Sequence, residues 1–563
     1  MLTKEQQEQV NRVHEEFRQC SDRPEQKYVN DEIMLDVGEG IKLRTIIYRP
    51  KLEGTVPTIM VRTCYPDNDP VYRATAEEYC ERGYAYVYQY CRGTGGSEGD
   101  WEPNVNERHD GKVTIDWVCD QTWVESVGYC GCSYLSLTGW VIADILPNKV
   151  KTMYLTHYGA FRFISAYKDG LFRHDVLTAW SMENAGYPVK ADYLESCKFR
   201  PQIKVDEKLW GKKIDWYRKW ITSTDADDIY WNTGFWSQLK DIPSHVHIPL
   251  YIGEGWYDHH LASALETYKT LPQDCRDHSC LLIGAWNHGF DVCLQDRSSK
   301  GNFENSDTLR AYNWFRNILV NNRIPEGTVK YYIIGNDTWF ERKTFEIVNQ
   351  GESRFYLGAR TSENIYSLSK KNTKENSSFS FQYDPENPVM THGAESLLHT
   401  REEQGSLRQE QLGYRADVIS CISEPTHEDM TVIGRIKVHL IVSSDVDDTA
   451  FAVKIIEVMA DGNAYNMRTC ITTLGYRNSS PKRIPYQPKE KVCIDFDGWD
   501  LAWKIHKGSR IRIDITSSDF PQYSIHSNYA GCWALQDKSR VALQTVYFGG
   551  TDESYISFPI SSI

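Results

Sequence analysis

Apolar and polar positions divide this chain into three regimes. Residues 1–22 place apolar side chains at helical spacing on a charged background, which predicts an amphipathic helix. Strand-like alternation follows at Glu32–Val37, at Ile41–Tyr48 (ended by Arg49-Pro50) and at Thr58–Arg62. A helical pattern over Ala74–Glu81 leads into an apolar strand at Tyr84–Tyr90, and a helix at Val113–Cys119 leads into a strand at 124–129. Strands alternating with helices predict an α/β unit around a mainly parallel sheet. Over 151–245 the pattern becomes helical, with many aromatic residues and few strand signals. Strand, helix and strand return at Pro249–Ile252, Ala262–Leu271 and Cys280–Ile283. The simplest arrangement is one α/β domain, 1–150 and 246–340, interrupted by a helical insertion at 151–245. From about residue 330 the signals are β, among them Lys330–Ile334, Val432–Val442, Phe451–Val458, Val492–Phe496 and Arg510–Thr516. Turns such as Asp461-Gly462 and Asp497-Gly498 separate such strands, so 341–563 is expected to be a β-sandwich or jelly roll. Gly351–Ser378 is polar and turn-rich and reads as a loop region.

Length and charge narrow the possible functions. At 563 residues the chain exceeds one core. Its net charge of -14 argues against nucleic acid as a partner, because phosphate binding needs basic surface. The first residues are charged and lack the apolar stretch of an export signal. No run approaches the roughly 18 apolar residues of a membrane span. The 15 cysteines are odd in number and irregularly spaced, as expected for reduced thiols in a cytoplasmic protein. Cys130 and Cys132 flank Gly131, but a lone pair at that spacing is no zinc signature. No metal and no cofactor are expected.

The chemistry concentrates at Gly131–Ser136, Gly-Cys-Ser-Tyr-Leu-Ser, between a strand pattern and a helical run. A serine at such a turn, two residues after a glycine, sits where a nucleophile elbow would form. The helix that follows would aim its first N–H groups at developing negative charge. Two later loops share one grammar of apolar strand, glycine, tryptophan and polar residue. They are Gly253-Glu254-Gly255-Trp256-Tyr257-Asp258 and Gly284-Ala285-Trp286-Asn287-His288. Serine hydrolysis needs a nucleophile, a base and a group that orients the base. Ser133, Asp258 and His288 supply these in the chain order of an α/β-hydrolase.

Several further segments extend the pattern: QYCRGTGGSEGDW at 89–101, DGKVTIDWVCDQTW at 110–123, GWYD at 255–258 and AWNH at 285–288. In the β half there are DTAFAVKIIEVMADG at 448–462, GSRIRIDITSSDFP at 508–521 and YDPENP at 383–388. With them the chain resembles, over almost its whole length, the CocE/NonD serine hydrolases, a group similar to cocaine esterase and X-Pro dipeptidyl-peptidases. That resemblance implies an α/β-hydrolase domain with an inserted helical cap, plus a C-terminal all-β jelly-roll domain. It implies Ser133 as nucleophile, His288 as base and later acid, and Asp258 as the group that orients His288. It also implies an oxyanion hole shared by the Tyr65 hydroxyl, from Arg62-Thr63-Cys64-Tyr65-Pro66-Asp67, and the backbone N–H of Tyr134. Ser136 stands where the family has glycine, and Cys91 precedes Arg92 where relatives often carry an acid nearby.

The expected activity is hydrolysis of an ester or amide of a carboxylic acid through an acyl-enzyme, most simply as an esterase or acylase. The alternative enzyme is an X-Pro dipeptidyl aminopeptidase, for which acids of the cap, Asp169, Asp175 and Glu183, would hold a substrate ammonium. The alternative outside enzymology is a silent binding or assembly protein. Trp256, Trp286, Phe163, Tyr167 and Trp180 are candidates for the pocket wall, with Phe161 and Phe172 as further cap aromatics. The expected partner is a small-molecule or short-peptide acyl substrate, with no nucleic acid, no membrane and possible self-association.

Overall fold

The computed structural model describes residues 2–184, 193–302, 306–344, 351–395 and 403–561. Its first half is a ten-stranded sheet. The strands are β1 (Tyr28–Asp36), β2 (Lys42–Pro50), β3 (Val56–Thr63), β4 (Ala85–Tyr90), β5 (Val124–Cys132) and β6 (Val150–Thr156). A two-stranded hairpin in the insertion supplies β7 (Tyr167–Lys168) and β8 (Leu171–Phe172) and stands apart from that sheet. The sheet resumes with β9 (Leu250–Gly255), β10 (Cys280–Gly284), β11 (Thr328–Ile333) and β12 (Thr338–Arg342). Its order is β1-β2-β4-β3-β5-β6-β9-β10-β11-β12. Pairing is parallel from β4 through β11 and antiparallel at both edges. The six residues of β4, Ala-Tyr-Val-Tyr-Gln-Tyr, are all buried, as an interior strand covered on both faces requires.

Helix α1 (Lys4–Phe17) is shorter than the 1–22 predicted, and Thr3 with Gln6 closes a capping box at its start. Phe17 packs edge-on against Tyr79 of α2 (Asp69–Glu81) and against Tyr312, at 5.3 and 5.7 Å. Helices α3 (Glu107–Asp120) and α4 (Tyr134–Trp140) bury Ile115, Val118, Leu137 and Trp140 in a separate apolar cluster that runs on into the insertion.

The short β pattern at Lys330–Ile334 lies in the first sheet, within the 246–340 part expected for the α/β domain, where β11 runs parallel to β10. Two expectations need correction. The insertion does not begin at 151, because Val150–Thr156 is β6, a strand paired with β5 and β9. Gly351–Ser378 is not a loop: Gly351–Ser362 and Ile365–Ser369 form an antiparallel pair. Only Phe355, Leu357, Gly358, Tyr366 and Leu368 of that pair are buried, so the polar majority hid the strands.

From Gly351 to Ile560 the described residues form thirteen strands in one hydrogen-bonded network, almost entirely antiparallel. This all-β domain is tied to the first at both loops of shared grammar. Arg468 donates to the Trp256 carbonyl at 2.9 Å, and Asn287 donates to the Gln404 side chain at 2.6 Å. It also grips the insertion, where Phe172 and Ser524 exchange hydrogen bonds at 2.7 and 3.0 Å.

Candidate active site

Strand β5 ends at Cys132 and α4 begins at Tyr134, leaving Ser133 alone in the turn at φ 57°, ψ -125°. A non-glycine residue held there costs about 1–3 kcal/mol, so the surroundings must over-determine it. A side chain at Gly131 would meet the Leu135 carbonyl oxygen at 2.2 Å, which is why the approach to the turn carries glycine. Ser136 adds a second constraint. Its Oγ lies 2.7 Å from the carbonyls of both Gly131 and Thr156 and accepts the Thr156 N–H at 2.9 Å. The residue that departs from the family pattern therefore staples the elbow to β6.

His288 Nδ1 lies 2.7 Å from Asp258 Oδ2, and Nε2 lies 2.8 Å from Ser133 Oγ. An ionised carboxylate only accepts, so Nδ1 carries the proton and the bare Nε2 of the neutral ring accepts from the Ser133 hydroxyl. Ser133, Asp258 and His288 thus meet in one relay, each just past the end of a parallel strand. Asp258 takes two further hydrogen bonds, from the His260 backbone N–H at 2.6 Å and from His157 Nδ1 at 2.5 Å. Burial raises its proton affinity, but the imidazoles of His288, His157 and His259 outweigh that and hold the carboxyl well below its usual range. Burial lowers the pKa of His157 more than Asp258 restores it. Next to this carboxylate lies Glu254, fully buried on β9, beside the backbone N–H groups of Tyr158 and Gly255. Burial and then the charge of Asp258 push Glu254 well above the usual carboxyl range.

A small cavity of about 30 Å³ opens over Ser133 and Tyr134. Its other walls are Asn104, Tyr158, Arg162, Val176, Trp180, Trp220, His259 and His260. The Tyr134 N–H stands in the first turn of α4, where no intrahelical acceptor exists. Tyr65 is reached through Trp180, whose indole N–H donates to the phenol oxygen at 3.1 Å. Burial pushes the Tyr65 hydroxyl well up, so it keeps its proton. Arg92, beside the departure at Cys91, holds Asp110 through two bonds of 3.1 and 2.7 Å.

Of the five aromatic residues expected in the pocket wall, Trp180 alone lines this cavity. Phe163 stacks on Tyr167 at 5.4 Å, and the Tyr167 hydroxyl donates to the Trp220 carbonyl at 2.8 Å, inside the cap. Trp256 turns beneath the sheet end and donates to the Tyr332 carbonyl at 2.7 Å. Trp286 packs on Phe290 and Trp339 with the Arg310 guanidinium over it. Phe172 stacks on Trp533 of the all-β domain at 5.4 Å. Sequence reasoning missed His157, Arg162, Trp220, His259 and His260. Two of these were visible as the His-His pair directly after Asp258.

Two clusters among the described residues group donors as a metal site would: His157, Asp258 and His288, and on the all-β surface His439, Cys493 and Asp495. In the first, both imidazole Nδ1 atoms already engage Asp258. Among the described residues no helix is long and apolar enough to cross a membrane.

Comparison with known proteins gives two family matches. Residues 39–290 match the X-Pro dipeptidyl-peptidase (S15) family, and residues 322–557 match the X-Pro dipeptidyl-peptidase C-terminal non-catalytic domain. The cocaine esterase of Rhodococcus sp. (strain MB1 Bresler) is 25% identical over 576 residues, covering 94% of this chain and 98% of that one. An aminopeptidase from a marine-sediment Thaumarchaeota archaeon superimposes with a TM-score of 0.79 at 19% identity, over 97% of this chain and 98% of its own. An α-amino acid ester hydrolase gives 0.76 at 20% identity, over 96% and 98%. A CocE/NonD family hydrolase from Staphylococcus aureus gives 0.67 at 16% identity, over 95% and 94%. These solved structures share its fold.

Proposed function

The chain belongs to the CocE/NonD, X-Pro dipeptidyl-peptidase-like family of serine hydrolases, and from that premise we propose that Ser133, His288 and Asp258 carry out its ester or amide hydrolysis. The observation that carries this reading is the unbroken path from Asp258 through both nitrogens of His288 to Ser133, at 2.7 and 2.8 Å. As Ser133 Oγ attacks the scissile carbonyl, its proton passes to His288 Nε2. The imidazolium that forms is stabilised by Asp258, which stays ionised throughout. The oxyanion is held by the Tyr134 N–H and the protonated Tyr65 hydroxyl. His288 then protonates the leaving group, and water, activated by the same imidazole, releases the acid.

The esterase or acylase form is favoured over the dipeptidyl aminopeptidase by what surrounds the cavity. An amine-recognising site needs a free carboxylate beside the nucleophile. Asp175 is instead paired with Arg173 at 3.3 Å, and neither Asp169, Asp175 nor Glu183 is among the cavity's walls. The fifteen cysteines, none of them in a disulfide, support a reducing compartment.

The test is turnover of short p-nitrophenyl esters by wild type beside Ser133→Ala. A burst, an acyl adduct on the Ser133 peptide, and loss of both in the variant are expected; turnover surviving in Ser133→Ala sinks the assignment. Gly-Pro anilides with free and acetylated amines separate the enzyme readings, and equal rates exclude the aminopeptidase.

A further inference from the structure

Arg162 is 9% exposed and opens a short helix, Arg162–Ala166, in the cavity wall. Buried arginines elsewhere in this protein face carboxylates. Arg62 meets Glu107 at 2.7 Å, Arg173 meets Asp175 at 3.3 Å, Arg512 meets Asp514 at 2.6 Å, and Arg468 meets Glu395. That is the rule for buried charge. Among the described residues Arg162 has no such partner within 4.0 Å. Its Nε is buried with no acceptor, and its guanidinium rests 5.3 Å from the centre of the Trp220 ring.

The cavity wall offers one more donor. The Tyr158 hydroxyl lies beside the Arg162 guanidinium and has no acceptor for its own proton. Among the described residues no carboxylate lines the cavity. A guanidinium without a carboxylate therefore stands in the wall of a space that also holds Ser133. The group that would complete it is an anion with acceptor oxygens, and it must come with the substrate.

We infer that the substrate carries a carboxylate a few bonds from the scissile carbonyl, received by Arg162 with the Tyr158 hydroxyl as a further donor. A planar guanidinium matches a carboxylate through paired N–H donors, and because Arg162 and Ser133 line one small cavity the carboxylate and the scissile carbonyl lie close together. This rests on Ser133 being the nucleophile. It names the substrate class that the triad leaves open: a short monoester or monoamide of a dicarboxylic acid, or an ester whose leaving group bears the carboxylate.

The experiment compares four alkyl esters by proton release at constant pH: ethyl butyrate, ethyl hydrogen succinate, O-butyrylglycolate and ethyl β-alaninate. Wild type is expected to favour one of the two carboxylate esters over ethyl butyrate at least tenfold in kcat/KM, and which one reports the side that bears the charge. The ammonium ester is expected to be the poorest. In Arg162→Gln the ratio of the favoured carboxylate ester to ethyl butyrate is expected to collapse at least tenfold. A measurement on unaltered enzyme guards against a variant that misfolds: succinate is expected to inhibit p-nitrophenyl acetate turnover at least tenfold more tightly than succinamide. Ethyl butyrate equal to or better than both carboxylate esters, a preference that survives Arg162→Gln, or equal inhibition by succinate and succinamide overturns the inference while leaving the triad intact. Failure to turn over any of the four esters or p-nitrophenyl acetate overturns the triad assignment and this inference with it.

Discussion

The floor and the roof of the cavity are built by different means. On the floor, Ser133, Asp258 and His288 each follow the end of a parallel strand, β5, β9 and β10. Neighbouring strands in register fix the spacing of whatever their end loops present. The roof comes from the insertion: Arg162 and Trp180 stand on helices of five and six residues, and Trp220 on one of eight. Aromatic contacts, such as Trp216 on Trp220 at 4.8 Å, hold the roof together. On the proposed function, the floor would position the reacting groups and the roof would select what enters. Substitutions on the floor should cost rate on every substrate, and substitutions on the roof should change the ranking of substrates.

The sharpest break comes from Asp258→Asn. The amide keeps the shape but offers an N–H where two imidazoles donate, so His288 would be held in the wrong tautomer. A loss of about 10⁴ in kcat is expected, uniform across acyl groups. A loss that varied strongly with substrate would mean that Asp258 belongs functionally to the roof. Next is Tyr65→Phe. Removing one oxyanion donor typically costs about 10²–10³ in kcat, again regardless of the acyl group and with little change in KM. A Tyr65→Phe enzyme as fast as wild type would move the second donor elsewhere in the cavity wall.

Ser136→Ala probes how the floor is fixed. Deleting the hydroxyl leaves the buried Thr156 N–H without its partner, at a cost of about 1–3 kcal/mol. A lower denaturation midpoint with an unchanged denaturant slope is expected. If stability is unaltered, the elbow is held by the Ser133 backbone bonds alone.

The same division explains what was legible in the sequence. Ser133, Asp258 and His288 stood out because an apolar strand followed by glycine marks where a loop leaves a sheet. Their tryptophan neighbours misled, because the chain turns right after the strand: the Asp258 N–H donates to the Gly255 carbonyl at 3.0 Å, so Asp258 faces His288 while Trp256 is directed to the Tyr332 carbonyl. His157 was hidden because β6 was read as part of the insertion, so its position just past a strand end went unnoticed. Arg162 could not be told from a solvated cap arginine. Helical period shows that a face is buried, but the missing partner appears only when the surrounding side chains are in place. Tyr65 came from family resemblance, because nothing in the pattern around it sets one turn tyrosine above another.

Floor and roof touch directly at Trp180, and the smallest expected effect tests whether that contact matters. Its indole ring stacks on Tyr134 at 5.8 Å and its N–H donates to the Tyr65 oxygen at 3.1 Å. Trp180→Phe retains a ring over Tyr134 and removes the N–H. The net worth of such a bond is about 0.5–1.5 kcal/mol, so kcat should fall about 2- to 10-fold if the bond aims the phenol at the oxyanion. If Trp180 acts only as a wall, KM and acyl preference should move and kcat should not. The two cases separate in the double variant. In the Tyr65→Phe background no phenol remains to aim, so Trp180→Phe should cost nothing further in kcat, and the two changes should be non-additive. Additive losses would show that the roof acts on rate by some route other than Tyr65.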